Sequence, residues 1–343
     1  MLLPFQAQPL SQTTPGGSVP GKIKQIPGGV GRNIAHSIGN IMQGRVCLIS
    51  VVADDTAGHA LLTHWHHSCG FRKDGILSIH SQHGSTPIVM TIFGANGDVE
   101  ISVADVGLLE KYLDRQLLLK HEPFIQAASF IVLDGNMHPD SLQVACQLAH
   151  KHRKSVWFEP VSATKAKRAV NISQFITYIS PNEQELESMA MEMIGGKQPG
   201  FNDVPVAYSG SSDIKGISFV HRQLKNLSIV LSAGVQYIIL TGGKEGAAAC
   251  YMDPHDSSVL LIYMAPALEA NAINCSGAGD TLVAGCISAL VQGKSIETAL
   301  KYGIAAAKYA VESSDNVPIF NMTMIEQLSK CVYTTCIKLS IVY

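Results

Sequence analysis

The sequence predicts an α/β fold: a mainly parallel sheet with helices on both of its faces. Three observations lead there. Short, continuously apolar runs recur along the chain, each ends in polar or glycine residues, and a helical stretch follows each one. Strands buried on both faces read as unbroken apolar runs, and parallel neighbours need a crossover of about a dozen residues, usually a helix.

Residues 1–27 are rich in Pro, Gln, Ser, Thr and Gly and read as an irregular or extended segment. The alternation begins with Gly28-Gly29-Val30-Gly31-Arg32-Asn33, which opens a helix carrying Ile34, Ile38 and Ile41 on one face. Val46–Val52 is an apolar run closed by Asp54-Asp55, and a helix through Leu61-Leu62 follows. Residues 75–103 depart from the pattern. Ile76–His80, Ile88–Phe93 and Val99–Val103 read as consecutive strands about the turn Ala95-Asn96-Gly97-Asp98, a small β lid. Phe130–Leu133, Val156–Phe158, Ile176–Ile179 and Tyr237–Leu240 resume the buried strands. Residues 195–213 are a Gly/Pro/Ser-rich surface loop, and Leu282–Leu290 is an apolar helix. One domain is thus expected over residues 28–325, with 326–343 a tail lacking a clear pattern.

In open α/β sheets, ligands bind beyond the carboxyl ends of the strands. That rule gathers Asp54-Asp55, Asp134-Gly135-Asn136, Glu159-Pro160, Pro181-Asn182-Glu183 and Thr241-Gly242-Gly243 at one edge. The most informative run is Asn274-Cys275-Ser276-Gly277-Ala278-Gly279-Asp280-Thr281, at the mouth of the helix from Leu282. A helix start offers unpaired N–H groups and about half a positive charge, and glycines let a ligand come close. Asp280 among those donors is placed to take a proton from a nucleophile while the amides hold a phosphoryl group. This points to a kinase acting on a small hydroxylated molecule. On local chemistry alone, an Asp-capped helix with a glycine turn fits as well.

Other motifs carry less. The glycine run at 28–31 has no preceding strand, and Ile34 stands where a dinucleotide fingerprint needs its third glycine. It fits instead a turn that brings backbone and Asn33 against a polar, uncharged ligand such as a sugar. Gly293-Lys294-Ser295 is a helix end, because Ser288 occupies the leading glycine position of a P-loop. Asn182 and Glu185 suit a helix cap or, alternatively, a water-mediated hold on Mg²⁺, which prefers oxygen ligands and keeps several waters. Thr241 to Gly246 fits a nucleotide-phosphate turn or a plain glycine turn. In His64-Trp65-His66-His67, His64 and His67 lack a nearby third ligand, and His80 and His83 read as surface residues.

Composition excludes several classes. The 343 residues are 46% hydrophobic and 15% charged, with 25 basic and 27 acidic residues and a formal charge of -2. No dense basic stripe for nucleic acid appears, and no uncharged apolar run reaches the roughly 18–20 residues of a membrane span. The eight cysteines show no CxxC pair, as expected of reduced core thiols in an intracellular protein. Met1–Phe5 lacks a secretory pattern, and Ser340–Tyr343 is not a Ser-Lys-Leu peroxisomal address. Cytoplasm is the expected compartment, with an organelle as the alternative.

Together these residues resemble the PfkB (ribokinase-like) carbohydrate kinases from about Gly28 to Pro318. The glycine element 28–33, Asn182-Glu183-Gln184-Glu185 as an Asn-x-x-Glu motif and Ser276-Gly277-Ala278-Gly279-Asp280 carry the resemblance. Trp157-Phe158-Glu159-Pro160-Val161-Ser162 and Tyr178–Glu183 are similar to the pseudouridine-kinase branch. The resemblance implies a three-layer ribokinase-like fold and phosphorylation of a 5′-hydroxyl, that of pseudouridine, with ribose or adenosine as alternative acceptors. ATP and Mg²⁺ are the implied cofactors. Asp280 would be the base, and the amides of Gly277, Ala278 and Gly279 the anion hole. Gly29, Gly31, Asn33 and Asn136 would hold the substrate. Asn182, Thr241, Gly243 and Gly246 would contact ATP, and Asn182 with Glu185 would organise Mg²⁺ through water. The lid strands are the candidate surface for a homodimer. Two departures stand out. Members usually begin with a buried strand ending in a sugar-binding Asp, and residues 1–27 contain neither. Asn274 stands where many carry an Asp near a monovalent-cation loop, which argues against activation by potassium. A shortened form that binds nucleotide without turnover is the alternative outcome.

Overall fold

A computed structural model describes residues 1–11, 16–43, 46–69, 71, 73–94, 99–195, 206–207 and 218–341. In chain order the elements are β1 (Leu3–Pro9), β2 (Gly21–Gln25), α1 (Val30–Met42), β3 (Ser50–Ala53), α2 (Thr56–Cys69) and β4 (Ile76–Ile79). Then come β5 (Ile88–Phe93), β6 (Val99–Asp105), α3 (Gly107–Tyr112), α4 (Arg115–Lys120), α5 (Glu122–Ala127) and β7 (Phe130–Asp134). The middle holds α6 (Pro139–Lys151), β8 (Ser155–Glu159), α7 (Ala163–Ala166), β9 (Tyr178–Ile179), α8 (Glu183–Met193), β10 (Val206–Ala207) and α9 (Ser218–Ser232). The chain closes with β11 (Tyr237–Thr241), β12 (Ala247–Asp253), β13 (Asp256–Ala265), α10 (Ala278–Val291), α11 (Ile296–Val311), α12 (Met322–Ser329) and β14 (Thr335–Ile341).

Eight strands form the large sheet in the order β10-β14-β13-β12-β11-β9-β8-β7. The runs foreseen as buried strands, β7, β8, β9 and β11, pair in parallel. Beyond β11, strands β12, β13, β14 and β10 continue the sheet antiparallel. Side chains alternate across a strand, so each buried strand feeds two cores. Val156 and Phe158 of β8, with Ile238 and Leu240 of β11, pack against α6, α8 and α9. Trp157 and Ile239 point the other way, onto α1, α10 and α11. Helices on both faces make the three expected layers.

Three expectations are corrected. Residues 1–27 are not irregular throughout: β1 and β2 join β5 and β6 in a four-stranded lid sheet ordered β2-β1-β5-β6. Their mixed Gln, Lys and Pro content hid them: β2 is exposed throughout and β1 half-buried beyond Leu3, so neither shows a clean apolar alternation. Secondly, β4 is no lid strand. It pairs in parallel with β3, Ser50 opposite Ile76 through Ala53 opposite Ile79. The turn expected at 95–98 lies outside the described residues. Thirdly, the segment from 326 is no unstructured tail, since β14 lies between β13 and β10 in the large sheet. Leu339 of β14 is buried in the main core while Lys338 and Ser340 alternate with it. That alternation was a readable signal.

Strands β3 and β7 each pair along one edge only among the described residues, and no described residue before Gly28 enters the large sheet. Between the two strands lies a cavity of about 370 Å³, walled by Leu48, Ile49 and Ser50 on one side and by Ile131, Val132 and Leu133 on the other. Among the described residues, no helix is long and apolar enough to cross a membrane.

Candidate active site

Two helix starts converge. Gly277 sits at the head of α10 in the left-handed region (φ 80°, ψ −1°), with no side-chain cap on the helix. A Cβ there would lie 2.1 Å from the Asn316 carbonyl oxygen, so only glycine fits without displacing backbone. The Ala278 amide donates a long turn bond of 3.3 Å to Cys275, and Gly279 is exposed. Asn274 accepts from the Ser276 amide at 2.9 Å, a local turn bond ahead of the helix.

Asp280 follows, 9% exposed, and its Oδ2 accepts a 2.7 Å bond from Asn33 Nδ2 at the start of α1. Burial pushes the Asp280 carboxyl up to about 6; Asp134 adds to the rise, while Asn33 and the Arg32 charge oppose it. A carboxylate tuned near neutrality is matched to accepting a proton at working pH. The glycine element meets β7 at a second point. Gly31 N–H donates to Asp134 Oδ2 at 3.0 Å, and an added Cβ would fall 2.9 Å from that oxygen. Asp134 Oδ1 also accepts from the Asn136 amide at 2.9 Å, and Lys165 Nζ donates to Asn136 Oδ1 at 2.6 Å. Gly29, at φ 101°, precedes α1.

The other half of the edge is built around α8. Asn182 and Glu185 form a capping box: Glu185 N donates to Asn182 Oδ1, and Asn182 N donates to Glu185 Oε2, both at 2.9 Å. Asn182 is also bridged to Thr241 in parallel, and the Thr241 amide donates to Pro181 at 2.9 Å. The turn after β11 closes with Gly242 N donating to Gly246 O at 2.8 Å, with Gly243 and Gly246 both at positive φ. Asn182, Thr241, Gly243 and Gly246 therefore share one locality. Arg222 of α9 ties it down through Glu183 at 2.8 Å and Glu245 at 3.1 Å.

Sequence reasoning missed several neighbours. Glu159, at the end of β8, is half-buried and accepts from Ser180 Oγ, which in turn accepts from Trp157 Nε1 at 2.7 Å. Burial holds the Glu159 carboxyl well above its ordinary range, and the charges of Asp280, Glu185 and Asp134 add to the rise. Asp134 and Glu159 were visible as polar strand ends, whereas nothing local marks Lys165 as a partner of Asn136. Asp54 and Asp55 serve structure instead: Asp55 accepts from the Thr86 hydroxyl at 2.6 Å and from the Gly58 amide at 2.7 Å. Among the described residues, no three His, Cys, Asp or Glu side chains are grouped to ligate a metal directly. His80 and His83 are exposed. Of the Asn182 and Glu185 pair, Glu185 has one carboxylate oxygen taken by the Asn182 amide and a second oxygen of the hard donor type that suits Mg²⁺ held through its own waters.

The family's sequence profile, described as pfkB family carbohydrate kinase, matches residues 5–318. The chain belongs to the pfkB carbohydrate kinase family. It is 30% identical to a pseudouridine kinase of Arabidopsis thaliana, over 97% of this chain and 94% of that one. A pseudouridine kinase of Escherichia coli K12 is 27% identical, over 92% and 90%. The fold matches a Thermotoga maritima ribokinase with a TM-score of 0.75 at 18% identity, covering 96% of both chains. An Arabidopsis thaliana ribokinase complexed with ribose and ATP gives 0.74 at 16% identity, again over 96% of both. As a pfkB kinase the chain is a phosphotransferase with an alcohol group as acceptor.

Proposed function

We propose that this pfkB kinase transfers the γ-phosphoryl group of ATP to the 5′-hydroxyl of pseudouridine. The observation that carries the reading is Asp280: buried at the glycine start of α10, bonded to Asn33, with its carboxyl pushed up to about 6. Ionised Asp280 accepts the hydroxyl proton as the oxygen attacks the γ-phosphorus. The new O–P bond forms as the bond to the β,γ-bridging oxygen breaks, and ADP leaves. The amides of Gly277 and Gly279 face the phosphoryl oxygens, joined by that of Ala278 once it leaves its long turn bond to Cys275, and these dipoles stabilise developing charge. Gly29, Gly31, Asn33 and Asn136 hold the nucleoside, and Thr241, Gly243 and Gly246 line the nucleotide. Mg²⁺, held through water by Asn182 and Glu185, would neutralise phosphate charge. The likeness to the Arabidopsis thaliana and Escherichia coli pseudouridine kinases supports this acceptor over ribose or adenosine. The test is turnover on pseudouridine, uridine, adenosine and ribose with ATP and Mg²⁺. The highest kcat/KM is expected for pseudouridine, and equal or better turnover of adenosine or ribose rejects the assignment.

The cavity between β3 and β7 favours one second reading, in which the floor beneath the nucleoside is too loosely packed for turnover and the chain binds nucleotide only. ATP binding without turnover of any of the four acceptors supports that reading. Turnover by the chain as it stands dismisses it.

The lid supports a homodimer. Cross-strand pairing puts Ile23, Ala7, Ile92 and Ile101 in one row and Phe5, Met90 and Val103 in the next, all on one face. Ile23, Ile101, Val103 and Met90 are 74%, 53%, 61% and 49% exposed. A contiguous apolar patch of this kind marks an association surface. Ile101→Lys with Val103→Lys is expected to convert a sedimenting dimer to monomer; an unchanged sedimentation coefficient removes the lid from the interface.

A further inference from the structure

We propose that Arg32 is a positioning residue that locks the Asn33 side-chain amide with its nitrogen toward Asp280. Arg32 lies on α1, 2% exposed. Its guanidinium is anchored to the chain just before the helix: Nη2 donates to the Pro27 carbonyl and Nε to the Gly28 carbonyl at 3.3 Å. Nη1 meets His36 Nδ1 at 3.2 Å, and Nη2 also donates to Asn33 Oδ1. Asn33 then donates from Nδ2 to Asp280 Oδ2 at 2.7 Å.

The chemistry allows one direction only. A guanidinium is purely a donor and an ionised carboxylate purely an acceptor, while a primary amide has one end of each kind. With Arg32 on Oδ1, Nδ2 must face Asp280. The amide relays a cation to the buried carboxylate without a direct ion pair, which would hold the base ionised but make it a poor proton acceptor. Burial with the Arg32 and His64 charges pushes His36 down to about 3, so His36 is neutral at working pH and accepts from the guanidinium. The charged groups whose fields reach Asp280 are Arg32 from α1 and Asp134 from β7. Of these only Arg32 favours the ionised base.

The inference rests on Asp280 as the base, so its test reads the Asp280 carboxyl directly. Carbon-13 NMR titration of aspartate-labelled protein, with the Asp280 signal assigned by its loss in Asp280→Asn, is run on wild type, Arg32→Met, Asn33→Ala and the double variant. Arg32→Met is expected to raise the Asp280 titration by about one pH unit. The double variant is expected to titrate no higher than Asn33→Ala, because residues acting through one contact are not additive. Should Arg32→Met fold too poorly, Arg32→Leu, likewise apolar and without donors, reads the same. In turnover, the deficit of Arg32→Met is expected to be about fivefold near pH 6 and to close by about pH 8.5, as Asp280 ionises again. A purely structural role for Arg32 does not recover with pH. An unshifted Asp280 in Arg32→Met, or an Arg32 shift that persists in full without Asn33, overturns the proposal. A wild type that titrates as expected yet phosphorylates none of the four acceptors rejects the kinase reading instead.

Discussion

Replacing Asp280 by asparagine is expected to lower kcat about 10²–10⁴-fold, the usual contribution of a positioned general base. Substrate affinities are expected to change far less, as binding of the phosphates depends on backbone amides that the substitution leaves in place. In wild type the same residue sets the acid limb: kcat should fall as pH drops below about 6, where the carboxyl gains its proton. Stability runs in the opposite sense. The folded carboxyl is pushed up to about 6 from an ordinary value of 3.8, so between those values the folded state keeps a proton that the unfolded state has lost. Stability then falls as pH rises through that window. At pH 7 the ionised, buried Asp280 costs on the order of 3 kcal/mol. Asp280→Asn should therefore melt higher than wild type at pH 7 and equal to it near pH 4. An Asp280→Asn protein that keeps wild-type kcat refutes the base; one that melts lower at pH 7 refutes the burial cost.

Gly277→Ala carries the second large effect. Its backbone is left-handed at φ 80°, and the added methyl would meet the Asn316 carbonyl oxygen at 2.1 Å. Relief requires the first turn of α10 to move, and that turn carries both the amides and Asp280. A loss of about 10²–10³-fold in kcat is expected, as for removal of an oxyanion donor. Left-handed strain adds about 1–3 kcal/mol of destabilisation. Gly279→Ala is the control for stability, because a Cβ at Gly279 meets nothing within 4 Å and no positive φ is needed there. Its melting temperature should stay at the wild-type value. Gly277→Ala with unchanged kcat would show that the head of α10 lies away from the transferred group.

Much of the site was legible before any coordinates because its chemistry is local. The glycines, the capping pair Asn182 and Glu185, and Asp280 at the head of an apolar helix all act within a few residues of backbone. The buried strands β7, β8, β9 and β11 were legible because burial on both faces demands unbroken apolar runs. The lid strands β1 and β2 were not, since the half-burial of β1 and the full exposure of β2 leave composition free to vary. The partner of β4 was not either: a four-residue apolar strand pairs with β3 or with β5 on equal local terms, and only packing selects β3. Lys165 on Asn136 and Glu159 on Ser180 likewise depend on which strand ends become neighbours.

By itself the sequence determined the layer architecture and singled out Asp280 at a glycine-led helix start as the candidate base, because periodicity and backbone geometry are properties of short segments. Only the tertiary structure decided that Asn33 and Asp280, 247 positions apart, share a hydrogen bond, and that Arg32 orients the amide between them. No local preference encodes that meeting. It arises when α1 and α10 bury their apolar faces on the same side of the sheet, bringing two helix starts, and the groups they carry, into one low-dielectric pocket.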